Sequence, residues 1–280
     1  MKRVLLFFSI FIVVILSFVT IVHFEAVKVV YECRSFFVDN TCVTKKIDNE
    51  IDTNQKKAAT LLFQFSSLRR LSLVGGDFRI YSASLHRLGH KFFLNQYSFD
   101  HIEDTCPALI KDGCVHGYVM EFINKNDLQK GIKLCSTATS KRIKLGCTHA
   151  LGHSYLEFNN QSVDQAIKSF CKNYSDLEYA ACVSGLFHEN SKLGEGMGHE
   201  NYYQRPHTYN SISCDNFIDN DYTICYGSQG SFRQYFPESE SIKITLKICS
   251  EAKTQEAKES CKYNALQRLD IARGYSAIIH

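Results

Sequence analysis

The chain has 280 residues, 45% hydrophobic and 22% charged, ordinary values for a protein able to bury a sizeable core. Its 32 Lys and Arg against 29 Asp and Glu leave a net charge of +3. That balance, without a basic cluster, excludes a nucleic-acid footprint, and no nucleic-acid partner is expected.

Met1, Lys2 and Arg3 precede an uncharged apolar run from Val4 to Val22. As a helix at about 1.5 Å per residue the run spans about 28 Å, close to the hydrocarbon thickness of a bilayer. Its exit, Val-Thr-Ile-Val-His-Phe-Glu-Ala, offers a poor small-x-small cleavage site. Residues 1–24 are therefore read as an uncleaved signal anchor, with residues 4–22 in the lipid bilayer and Lys2 and Arg3 cytoplasmic. The bulk of the chain is then periplasmic or extracellular. Cleavage is the alternative, and it gives a secreted protein.

Residues 25–60 read as a polar connector with a small loop between Cys33 and Cys42, and residues 61–280 as a helical-repeat ectodomain. A cysteine-free helical pair is expected from Ala58 to Asn95, broken at Gly75-Gly76. Residues 194–210, rich in glycine and carrying Arg205-Pro206, read as a long loop. Only three prolines interrupt the chain, which suits long helices, and 20 Phe with 15 Tyr can fill a core without tryptophan.

Twelve cysteines fall in neighbouring pairs: Cys33 and Cys42, Cys106 and Cys114, Cys135 and Cys147, Cys171 and Cys182, Cys214 and Cys225, Cys249 and Cys261. An even count in an exported chain reads as disulfides, and Cys-x-x-Cys zinc spacing is missing. Connectivity stays open from sequence; near-equal local spacings make local pairing the simplest choice. Amphipathic segments such as Val163–Phe170 precede the first cysteine of a pair, and segments such as Cys182-Val-Ser-Gly-Leu-Phe-His-Glu follow the second. Each pair is thus expected to tie the end of one helix to the start of the next. First cysteines at 106, 135, 171, 214 and 249 recur at the length of a helical hairpin.

The predicted fold class is all-α: stacked, disulfide-stapled helical hairpins, α-solenoid-like, behind an N-terminal transmembrane helix. Over roughly residues 100–275 these hairpins resemble the Sel1-like class of tetratricopeptide-type repeats, especially its cysteine-rich secreted members. The Gly-x-Gly turn signature of that class is mostly missing.

A second, longer period overlies the first. His86-Arg-Leu-Gly-His90 recurs as His149-Ala-Leu-Gly-His153, and Cys114, Gly117 and Glu121 recur as Cys182, Gly185 and Glu189. Histidines at i and i+4 share a helix face and can reach one metal ion. The glycine between them costs about 1 kcal/mol relative to alanine in a helix, which makes sense where another helix or a ligand approaches closely. His116 and His149 both stand two residues after a cysteine, and His153 and His188 both stand six after one. The expected metal-ligating set is His86, His90, His116, Glu121, His149, His153, His188 and Glu189, with Glu157 one turn beyond His153. Imidazole and carboxylate suit a divalent transition metal such as zinc or iron, and two half-sites invite a two-metal arrangement. Ser184 stands where symmetry with His116 asks for a second histidine, which breaks the equivalence of the halves.

The paired motifs also resemble an uncharacterised group of exported proteins with His-x-x-Gly/Ala-His followed by Gly-Cys-x-His-Gly-x-x-x-Glu. Here those residues are His86, His90, Gly113, Cys114, His116, Gly117 and Glu121. The resemblance implies the motif and no chemistry. The pattern is not the His-Glu-x-x-His zinc-protease helix, because Arg87 and Ala150 occupy the glutamate position. No Gly-x-Ser-x-Gly elbow, phosphate-binding loop or dinucleotide fingerprint is present. Two functional classes stand: a metal-dependent exported protein with no assigned reaction, and a scaffold that takes a protein or peptide partner in the repeat groove. In the second, the histidines are structural hydrogen bonders.

Overall fold

In a computed structural model of the chain, residues 23–33, 40–70, 78–107, 111–125, 127–159, 161–190, 213–230 and 238–266 are described. The anchor expected over residues 4–22, the Gly75-Gly76 break and the 194–210 loop lie outside them. Among the described residues every regular element is a helix, and none is long and apolar enough to cross a membrane. The chain divides into two compact units, Met1–Gly76 and Asp77–His280.

The first unit holds α1 (Phe24–Glu32), α2 (Asn40–Thr53) and α3 (Gln55–Arg70). Residues 25–60, read from their polarity as a connector, carry α1, α2 and the start of α3. The spacing of the apolar residues explains why. Ile47 and Ile51 lie one turn apart on α2 and are buried, while Lys45, Asn49 and Asp52 face outward or sit half-exposed. Helix α3 packs Ala58, Leu61, Leu62 and Phe65 into the same core, and Gln64 accepts a hydrogen bond from the Ala26 N–H at 3.0 Å.

The second unit contains α4 (Phe78–Leu94), α5 (Phe99–Thr105), α6 (Lys111–Lys125), α7 (Leu128–Ser136) and α8 (Lys141–Asn159). It continues with α9 (Val163–Ser169), α10 (Asp176–Asn190), α11 (Asp219–Gly230), α12 (Glu238–Ser250) and α13 (Gln255–Leu266). The longer helices form a row in which α4 packs on α6, α6 on α8, α8 on α10, α10 on α11 and α11 on α13. Short helices fill the intervals and begin at side-chain caps: Ser98 for α5, Asp127 for α7, and a Ser162/Gln165 capping box for α9.

All six neighbouring cysteine pairs are disulfides, and no described cysteine is free. The second cysteine does not open its helix, however. Cys147, Cys182, Cys225 and Cys261 are each the seventh residue of theirs. The helices start earlier because capping hydroxyls lie further back: Ser140 accepts from the Ile143 N–H and Thr254 from the Ala257 N–H. These four staples therefore join the element before them to the buried middle of the next long helix.

Glycines set the spacing between three pairs of long helices. A Cβ on Gly89 of α4 would collide with the Cys114 carbonyl of α6, and one on Gly117 of α6 with the His86 carbonyl of α4. The relation repeats in α8 and α10, where Gly152 meets the Cys182 carbonyl and Gly185 the His149 carbonyl. In α11 and α13 it survives as Gly230 against the Cys261 carbonyl. The close approach inferred for the glycine of His-x-x-Gly-His is thus that of another helix backbone.

Candidate metal centre

The glycine notches bring the faces that carry histidine together. His86 comes from α4, His116 from α6, His149 and His153 from α8, and His188 from α10. Their rings form a continuous cluster. Ring centroids of His86 and His116 are 4.6 Å apart, those of His116 and His153 4.6 Å, and those of His149 and His188 5.0 Å. His86, His116, His149 and His153 are all at most 5% exposed.

Proton positions follow from the partners. The Nδ1 of His149 lies 3.2 Å from the Ala181 carbonyl oxygen, which can only accept, so Nδ1 carries the proton and Nε2 a lone pair. The Nδ1 of His153 faces Glu189 Oε2 at 3.3 Å, which places its proton there and leaves its Nε2 bare as well. The Nε2 atoms of His149 and His153 lie 3.1 Å apart. His188 Nδ1 is 3.2 Å from the same His149 nitrogen and can donate to it. His153 has no proton left to donate.

Protonation does not relieve this contact near neutral pH. Burial pushes His153 down to about 3, and burial followed by the His153 charge does the same for His188. Burial also holds His149 well below the ordinary histidine value, with the neighbouring histidines adding to it and the Ala181 carbonyl opposing. His116 is depressed by burial and by His86, His153, His149 and His188. Four imidazoles held neutral by burial near neutral pH are a donor set that could bind a cation.

Of the eight residues expected as ligands, His116, His149 and His153 offer ligand atoms that all lie within 4.8 Å of one another. Tetrahedral zinc with nitrogens at about 2.0–2.1 Å holds them about 3.3 Å apart, so their separations would close by up to about 1.5 Å. His188 adjoins them through His149. Glu189 orients His153 rather than joining the cluster, the outer carboxylate that accompanies metal-ligating histidines. At the other end His90 Nδ1 comes within 3.1 Å of Glu121 Oε2 but makes no hydrogen bond to it, unlike His153 to Glu189. Glu157, one turn along α8, is half-buried. The Ala181 carbonyl is the functional group that the side-chain pattern missed; no sequence signal marks a backbone acceptor.

His116 Nε2 has no hydrogen-bond partner although the ring is buried. Such a group costs about 1–3 kcal/mol when left unsatisfied, which a ligand in the cluster would recover. Comparison of the chain with family models, curated proteins and solved structures finds no match, so the chemistry rests on these residues alone.

Proposed function

We propose that the protein is an exported, membrane-anchored helical-repeat protein of the Sel1-like kind that binds a divalent transition metal, zinc or iron, at His116, His149 and His153. The observation that carries the reading is the convergence of buried ligand atoms from His116, His149 and His153, all within 4.8 Å of one another. An all-imidazole donor set also suits that metal class, while calcium and magnesium ask for oxygen. Export is supported by six disulfides, which persist in oxidising compartments, and the anchor by the apolar run from Val4 to Val22. No reaction is assigned.

Elemental analysis of the full oxidised chain in detergent, beside a His149→Ala/His153→Ala variant, tests this. The expected result is near-stoichiometric zinc or iron in the parent and its loss from a variant that keeps its helical circular dichroism. A folded parent that holds no metal after incubation with zinc and iron would reduce the histidines to hydrogen-bonding core residues.

A further inference from the structure

Helix α1 has two opposite faces, and both are apolar. Ala26, Val29 and, just past the helix end, Cys33 are buried against the rest of the first unit, where Cys33 is bonded to Cys42 of α2. On the other side Phe24, Val27 and Tyr31 follow at i, i+3 and i+7, the spacing of a single helix face. Phe24 is 56% exposed and Tyr31 60%, so two of the five large apolar side chains left open among the described residues stand on this one short helix. The charged residues Glu25, Lys28 and Glu32 share the same spacing and keep to one flank between the two faces, where Glu32 is paired with Lys46 at 2.6 Å. Single exposed apolar residues are ordinary; two rings and a valine in line on one helix form a patch suited to an apolar partner.

The neighbouring sequence says which partner. The apolar run ends at Val22, and only His23 separates it from Phe24. Two residues of chain reach at most about 7 Å, comparable with the roughly 5–8 Å of headgroup layer on each side of the hydrocarbon. With the run across the bilayer, Phe24 is therefore held at the membrane surface. Helix α1 starts at this point and does not pass through it: His23 has φ −114° and ψ 26°, outside the α-helical region. The chain can turn where it leaves the lipid. An upright α1 would carry Tyr31 about 10 Å beyond Phe24, out into water. Laid flat with this face down, the same helix keeps both rings at headgroup depth, where an aromatic body with a polar tip is favoured, and sets Lys28 beside the lipid phosphates.

We propose that α1 lies along the outer surface of the bilayer, with Phe24, Val27 and Tyr31 in the headgroup layer. This rests on the reading of residues 4–22 as an anchor. The lipid then covers the face that the first unit leaves open, and the buried face of α1 holds the rest of that unit on the side away from the membrane. Contact through both the run and α1 fixes the orientation of the first unit as well as its distance from the bilayer, which an anchor alone would leave free to swivel.

The chain has no tryptophan, so one introduced at a time reports its own surroundings. Phe24→Trp and Tyr31→Trp exchange one exposed ring for another and should keep the helical circular dichroism of the parent. Each variant, as the full, disulfide-intact chain, is reconstituted into phosphatidylcholine vesicles with and without bromine on the acyl chains near the headgroups. The expected result is blue-shifted emission from both positions, with loss of emission from both in the brominated vesicles. Quenching of Phe24→Trp alone, with water-like emission from Tyr31→Trp, would overturn the flat helix and leave the anchor standing. No quenching at either position would remove the anchor as well. Blue-shifted emission from Tyr31→Trp that bromine does not quench would show that protein covers this face, a second copy or another part of the chain, and would overturn the proposal.

Discussion

The α8/α10 pair and the α11/α13 pair are built on one backbone plan and filled differently. Both put a cysteine at the seventh residue of each helix, and both press a glycine, Gly152 or Gly230, against the carbonyl of the partner helix's cysteine. In the first of them the position two residues after the cysteine carries His149; in the other it carries Gly227. Asn264, standing where Gly185 stands, donates its amide to the Gly227 carbonyl at 3.0 Å. Ser260 would meet any side chain placed on Gly227. The notch is therefore architecture, and the imidazoles are an addition to it. A fold that needed the histidines for packing would not have a pair that does without them.

Three perturbations sharpen that contrast, and the largest should not distinguish the pairs at all. Each staple closes a loop of 8 to 12 residues, for which loop-closure entropy gives about 2–3 kcal/mol. Their sum is on the order of 10 kcal/mol, comparable with the whole stability of a domain. Reduction is expected to melt both pairs at ordinary temperature; a reduced chain that keeps its helical signal and melting point would refute this.

Acid should separate them. His153 and His188 titrate near 3 in the folded metal-free chain, and His116 and His149 are lowered too, against 6.5 for a free histidine. Below 6.5 the unfolded chain binds protons that the folded chain refuses, so stability falls as pH drops from 6.5 towards 3 and is flat above 6.5. Several kcal/mol are expected to be lost between pH 7 and 4.5. Hydrogen exchange should show α8 and α10 losing protection first, while α11 and α13 keep theirs. Uniform loss across all four helices would mean that the histidines do not set the acid response.

The smallest effect returns to the shared plan. Gly152→Ala and Gly230→Ala each put a methyl group against a backbone carbonyl, and each should cost about 1–3 kcal/mol in denaturant unfolding. Only Gly152→Ala should also lower metal content. A neutral Gly230→Ala would show that the third notch is looser than the second.

Much of this was legible in the residues, and the parts that were not share a cause. Cysteine spacing gave the staples, and the recurrence of His-x-Leu-Gly-His with Cys-x-x-Gly-x-x-x-Glu picked out both notched pairs and their carboxylates. The third pair escaped because the repeat was traced through histidine, and Gly230 and Cys261 carry the same contact without one. The helix starts are marked by Ser140 and Thr254, the hydroxyls that cap them, and not by the cysteines seven residues later. That His116 meets both His86 and His153 depends on which helix packs beside α6, which no single repeat shows. The helices of residues 25–60 were hidden by overall polarity, although Ile47 and Ile51 already show the one-turn spacing of a buried face.

The locality of the staples has a consequence for how the protein is made. Twelve thiols can pair in on the order of 10,000 ways, yet here each cysteine bonds its immediate neighbour in the chain. A polypeptide threading outward from its N-terminus presents each cysteine to its partner before the next pair emerges, and short loops close fastest. The first bond to form is then the native one. Oxidation can proceed as a sequence of independent closures, with an oxidant accepting the electrons and no shuffling enzyme needed to correct the order.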